Sequence, residues 1–184
     1  MDLDYQQKYL KYKKKYLDLK YKEYSGGGWL DFLKSKKTIA LNAVTDDGYN
    51  LYKLKDFQND RDVVLAAVQQ NGFALKYASE ELKKDREIVL AAVRQNGYAL
   101  EYASELKKDR EIVLAAVRQN GYALEYASEH LKADRMIVLV AIKNNNMDAL
   151  KYIPINLRKE VKQKAIELQN EKRRRDILSP YMNW

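Results

Sequence analysis

The 184 residues include no cysteine, a single histidine, two prolines and seven glycines. Without cysteine there is neither a disulfide framework nor a thiolate metal ligand, and the composition fits a reducing compartment. The lone His130 stands where an earlier stretch of the chain has Glu81, so it reads as a solvent-facing substitution. A metal site needs more ligands than this chain offers, and a nucleophile needs a base beside it. Ser79, Ser104 and Ser128 recur at one position, but no histidine recurs with them. The glycine run Gly26, Gly27, Gly28 lacks the lysine and following Ser/Thr of a phosphate-binding loop and reads as a linker. No run approaches the roughly 18 apolar residues of a membrane span, and the lysine-rich start has no apolar signal-peptide centre. The expectation is a soluble, unexported protein with no catalytic, cofactor or metal residues: not an enzyme.

What the chain does have is repetition. DREIVLAAVRQNGYALEYASE occurs unchanged at residues 85–105 and 109–129, preceded by NDRDVVLAAVQQNGFALKYASEE at 59–81 and followed by ADRMIVLVAIKNNNMDALKYI at 133–153. The Asp-Arg pairs begin at Asp60, Asp85, Asp109 and Asp134, spaced 25, 24 and 25. Degenerate copies flank them at 37–54, keeping Leu41, Ala43, Val44, Gly48, Tyr49 and Leu51, and at 158–166, keeping Val161, Ala165 and Ile166. A fixed period in the twenties marks a stacked array.

Within one unit, Asp85 is a good N-cap, Glu87 suits the positive end of the helix dipole, and Asn96-Gly97 is a stop in which Gly97 can take positive φ. A first helix is expected over about 86–96. Its middle, residues 88–93, is apolar all round, which a helix tolerates only when neighbours cover it. A second, amphipathic helix is expected over about 98–107, with Leu100, Ala103 and Leu106 inward, as are Leu75, Ala78, Leu82 and Leu124, Ala127, Leu131. The fold class is therefore all-α: tandem αα-hairpins of 24–25 residues stacked as a short α-solenoid. Asn146 in place of the turn glycine, and Pro154 soon after, mark the end of the array.

Four regions follow: a basic, tyrosine-rich amphipathic leader helix at 1–24, a glycine linker at 25–28, the array at 29–157, and a capping helix with basic tail at 158–184. In the leader, Tyr5, Tyr9, Tyr12 and Tyr16 follow a 4-3-4 spacing beside a row at Leu3, Leu10 and Leu17, with Lys11, Lys13, Lys14 and Lys15 among the remaining positions. Trp29, Leu30, Phe32 and Leu33 are expected to cover the first repeat. The tail carries Lys172, Arg173, Arg174 and Arg175. Of the net charge of +8, +7 resides in these ends, leaving 19 basic and 18 acidic residues in the array. A basic stripe along the repeats, the mark of a nucleic-acid groove, is absent.

Tyr77, Tyr102, Tyr126 and Tyr152 recur once per unit and form a candidate aromatic ladder, either packing between units or lining a binding surface. The Gln-Asn pairs at the turns read as helix-end capping. Because the two identical repeats match at exposed positions too, they are not expected to read two different partner features.

The repeat unit resembles a tandem-repeat domain of unknown function common in giant-virus proteomes, over about residues 59–153. The leader KYLKYKKKYLDLK followed by GGG resembles an N-terminal segment found on many otherwise unrelated proteins of large nucleocytoplasmic DNA viruses. The resemblance implies a viral setting and no reaction. The expected function is a non-enzymatic scaffold or adaptor, binding viral or host proteins, capsid proteins included, through the array and docking through the leader. Its place would be the virion or the host cytoplasm at viral factories, and Gly26, Gly27 and Gly28 are a candidate processing site. The alternative is phosphate binding through the basic ends; binding of the leader to an anionic membrane surface is weaker still.

Overall fold

A computed structural model describes residues 11, 14, 29–143 and 147–178. The chain is an all-helical tandem-repeat solenoid, with no strand among the described residues. Its α-helices are α1 (Trp29–Asp46), α2 (Arg61–Gln70), α3 (Arg86–Gln95), α4 (Arg110–Gln119), the single turn α5 (Glu129–Lys132), α6 (Arg135–Lys143) and α7 (Ile155–Leu178). Each of α2, α3 and α4 starts at its aspartate. Asp85 Oδ1, for example, accepts from the backbone N–H of Glu87 at 2.9 Å and of Ile88 at 3.2 Å. The apolar middle of α3 is covered as its composition requires, with Ile88, Val89, Ala92 and Val93 buried and Leu90 and Ala91 half-buried.

The second half of each repeat is helical but wound as 3-10 helix, over Gly48–Tyr52, Gly72–Tyr77, Gly97–Tyr102, Gly121–Tyr126 and Met147–Tyr152. In place of the one helix expected over 98–107, the chain forms Gly97–Tyr102 and a second short turn, Ser104–Lys108. The inward residues Gly97, Leu100 and Ala103 are three apart, which suits 3.0 residues per turn better than 3.6. α-Helices thus form one layer and 3-10 helices the other, each α-helix packing on the 3-10 helix of its own repeat and of the one before. The core runs between the layers as Leu51, Leu75, Leu100 and Leu124 beneath Val63, Ile88, Ile112 and Ile137.

Two sets of polar contacts join neighbouring repeats. Arg61 reaches Asp85 (2.8 Å) and Glu87, Arg86 reaches Asp109 (3.2 Å) and Glu111, Arg110 reaches Asp134 (3.0 Å), and Arg135 reaches Glu160 (3.2 Å). Lys37 plays this part for the degenerate first copy, bridging Asp60 and Asp62. Each glutamine before a turn reaches back one repeat. Gln119 Oε1 accepts from Gly97 N–H at 2.6 Å while its Nε2 donates to Gln95 O at 3.4 Å, and Gln95 does the same to Gly72 and Gln70. Both residues therefore cap helix ends, the asparagine within its own repeat, Asn96 Oδ1 accepting from Tyr98 N–H at 3.0 Å, and the glutamine across the boundary, on the helix ends of the repeat before.

Gly97 does not take positive φ; nor do Gly48 and Gly72. They are glycines because the next helix comes so close. A Cβ at Gly97 would lie 2.5 Å from the carbonyl oxygen of Ala116, and at Gly72 2.4 Å from that of Ala92. Among the described non-glycine residues it is Ser104 that lies in the left-handed region, at φ 42°. Its connector is one residue shorter than that after Ser79 or Ser128, and the sharp turn at Ser104 replaces the extended backbone seen at Ala127 and Ser128.

At the ends, α1 packs on α2, and α7 packs on α6 with Val161 and Ala165 buried. Trp29, Leu30, Phe32 and Leu33 fall in α1, whose side chains are described from residue 36 onward. Lys11 and Lys14 are helical and exposed; Tyr5, Tyr9, Tyr12, Tyr16, Lys13, Lys15, Gly26, Gly27 and Gly28 lie outside the described residues.

Candidate functional site

The 3-10 layer presents the recurring tyrosines. In each Gly-aromatic-Ala-Leu-X-Tyr helix the glycine, alanine and leucine point inward and are buried. That leaves the second, fifth and sixth positions outward, and the sixth holds Tyr77, Tyr102, Tyr126 and Tyr152, all half-buried. The second position adds Tyr49, Tyr98 and Tyr122, which repeat counting of the sixth position alone overlooks. Their signal was present in the sequence as an aromatic after every turn glycine.

Rings meet across repeat boundaries. Tyr98 and Tyr126 are 6.3 Å apart, edge to face at 76°, and Tyr49 and Tyr77 are 5.5 Å apart at 72°. Tyr52 completes the first cluster at 5.8 Å from Tyr77. A hydrogen bond with Tyr49, followed by burial, pushes the Tyr77 phenol up to about 12. Tyr102 and Tyr126 are raised first by burial and next by the carboxylate of Glu101, which lies near both. Such edge-to-face pairs add about 0.5–1.5 kcal/mol beyond their area. The ladder is therefore a set of pairs that tie adjacent repeats while leaving ring surface outward.

The fifth position sets the charge of this surface. Lys76 places its ammonium 6.0 Å from the centroids of both Tyr77 and Tyr102. Lys151 lies 4.7 Å from Tyr152 and 5.7 Å from Tyr122. Between them the position is Glu101 and Glu125, both exposed, and Tyr122 Oη donates to Asp148 at 2.9 Å. The Tyr152 phenol is raised chiefly by its hydrogen bond with Glu125.

The opposite layer has a shallow groove of about 360 Å³ between α3 and α4, lined by Leu90, Leu114, Arg94 and Arg118 among others. Ser79 is structural: its Oγ donates to Asn59 Oδ1 at 3.0 Å and accepts from Leu82 N–H at 3.3 Å. His130 is exposed on α5. In the tail, Arg173 and Arg174 are exposed on α7. Among the described residues no group of three or more His, Cys, Asp or Glu could hold a metal ion, and no helix is long and apolar enough to cross a membrane.

The model of one family, described as a domain of unknown function (DUF4116), matches four overlapping windows, residues 36–83, 60–107, 85–132 and 109–158. Each window holds two consecutive repeats and the next begins one repeat later, the same two-repeat unit across which the arginine, glutamine and tyrosine contacts run. No match is found among curated proteins or among solved structures. Together the windows span well over half of the chain, which belongs to the DUF4116 family as a tandem array of its repeats.

Proposed function

We propose that this protein is a non-enzymatic scaffold or adaptor whose tyrosine-lined 3-10 layer docks protein partners. The observation that carries the reading is the run of half-buried, outward-edged tyrosines held in register from one repeat to the next. Tyrosine is enriched at protein interfaces because its ring brings apolar area and its hydroxyl a hydrogen bond at small cost in side-chain entropy. The cross-repeat arginine and glutamine contacts hold the surface fixed before a partner arrives, which lowers the ordering cost of binding. Glu101, Glu125 and Asp148 on the same layer oppose phosphate, so nucleic acid would have to use the exposed tail arginines instead.

The setting of this reading is the resemblance to large DNA viruses: a virion component or a factory-associated adaptor in the host cytoplasm, with capsid or host proteins as partners. In it the leader acts as a docking tag, cleaved or retained at the linker glycines. Photo-crosslinking tests the surface. Benzoyl-phenylalanine at Tyr102 is expected to give discrete protein adducts in infected cells, and the same group at Leu114 on the α-layer none. Adducts from Leu114 alone would overturn the assignment.

A further inference from the structure

Lys76 and Lys151 reveal where the tyrosine layer accepts a positive charge. Each places its ammonium between two rings contributed by adjacent repeats, 6.0 and 6.0 Å from Tyr77 and Tyr102 in one case, 4.7 and 5.7 Å from Tyr152 and Tyr122 in the other. A cation at such distances is attracted by the electron-rich ring faces. The protein fills both of these slots with its own lysines.

The equivalent slot between Tyr102 and Tyr126 is different. Its fifth-position residue is Glu101, exposed and near both phenols, and Tyr98 stacks edge-on against Tyr126 at 6.3 Å. Tyr102 also borders the Lys76 slot, whose ammonium lies 6.0 Å from its ring centroid, so the ring surface open to an outside cation is that toward Tyr126 and Tyr98, with the Glu101 carboxylate beside it. Both glutamates hydrogen-bond a tyrosine, Glu101 the Tyr102 phenol of its own repeat and Glu125 the Tyr152 phenol of the next; they differ in that Glu125 also lies close enough to Lys151 to favour that lysine's charge. Lys76 meets the sixth-position rings of its own and the following repeat, Lys151 its own sixth-position ring and the second-position ring of the repeat before; Glu101 stands in the Lys76 arrangement, where glutamate in place of lysine attracts a cation from outside.

We propose that Tyr98, Tyr102, Tyr126 and Glu101 form a binding site for the side-chain ammonium of a lysine in a partner peptide. The proposal rests on the reading of the tyrosine layer as a docking surface and names the partner's chemistry: a lysine-bearing segment laid across the 3-10 helices. The protein's own net charge of +8 works against gathering basic peptides generally, so specific affinity would report the slot.

The test uses the full chain and a labelled glycine-lysine repeat peptide at physiological salt, followed by fluorescence anisotropy. Saturable binding is expected, weakened at least tenfold by Glu101→Lys. That variant is expected to fold, because the array itself carries lysine at this position in two repeats. Tyr126→Leu should weaken binding as well, whereas Glu81→Lys, the same charge change at an exposed position in the connector, should stay within about twofold. Absence of binding, or equal loss in Glu101→Lys and Glu81→Lys, would overturn the proposal. If Tyr102 still crosslinks the cellular partner in the Glu101→Lys chain, the docking surface stands and the lysine slot fails; loss of both adducts and peptide binding supports both.

Discussion

Residues 85–105 and 109–129 have one sequence and two environments. Their helices α3 and α4 match in length, in aspartate cap and in buried residues. They part company at the outward positions and at the exit. Glu101 bonds to Tyr102 of its own repeat and lies near Tyr126, whereas Glu125 bonds to Tyr152 of the next repeat and neighbours Lys151. Ala103 has ψ 20° and Ser104 φ 42°, against ψ 157° at Ala127 and φ −61° at Ser128. In a stacked array the surface of a unit is completed by the next unit and its backbone exit by the connector. Identical repeats can therefore present different surfaces, because each is completed by a different neighbour.

The comparison is sharpest in the core, where the two repeats should behave alike. Leu100→Ala and Leu124→Ala each remove a fully buried side chain and should each cost about 3 kcal/mol, agreeing within about 0.5 kcal/mol in urea unfolding. A difference of more than about 1 kcal/mol would mean that neighbours shape the core as much as the surface. Next in size is Gly97→Ala, whose methyl would push against the Ala116 carbonyl; about 2 kcal/mol should be lost even after the roughly 0.4–1 kcal/mol that alanine returns by restricting the unfolded chain. An unchanged midpoint would show that the repeats can slide apart freely.

The aspartate caps should again be equivalent. Asp85 and Asp109 sit where burial acts to raise their pKa, but the arginine of the preceding repeat and two backbone N–H groups outweigh it and hold both below the ordinary carboxylate range. Folding thus depresses these pKa values, so their contribution is complete above the ordinary aspartate value of about 3.9 and is lost as pH falls through the folded value. Asp109→Ala should cost about 1 kcal/mol at pH 7 and flatten the acid limb of the stability profile. A parallel profile, merely displaced, would contradict the linkage. The smallest effect should have opposite signs in the two copies. Ser104→Gly relieves a left-handed serine and should gain about 0.5 kcal/mol, while Ser128→Gly only adds freedom to the unfolded chain and should lose a similar amount. The same sign in both would remove the connector-length explanation.

Much of this architecture was legible before the structure. The period, the aspartate starts of the α-helices and the buried faces of residues 88–93 are all direct readings of spacing and caps. The 3-10 winding was written in the three-residue spacing of Gly97, Leu100, Ala103 and Leu106, which is easily absorbed into a helical period of 3.6 when the segment is this short. The roles of Gly97 and Gln119 were not legible, because each is defined by atoms of a neighbouring repeat: the Ala116 carbonyl for the glycine, Gly97 N–H and Gln95 O for the glutamine. The tyrosine ladder was half legible, since recurrence marks Tyr102 and Tyr126 but only packing brings Tyr98 against Tyr126 and Lys76 over Tyr102.

One pair of variants puts the central claim, that neighbours give identical repeats different surfaces, to its most direct test. Glu101→Lys and Glu125→Lys make the same change at the same place in two identical stretches, and both can be titrated with the glycine-lysine peptide. The account predicts at least a tenfold loss of affinity for Glu101→Lys and less than about threefold for Glu125→Lys, whose carboxylate already has the Lys151 ammonium for a neighbour. Equal losses in the two variants would contradict it.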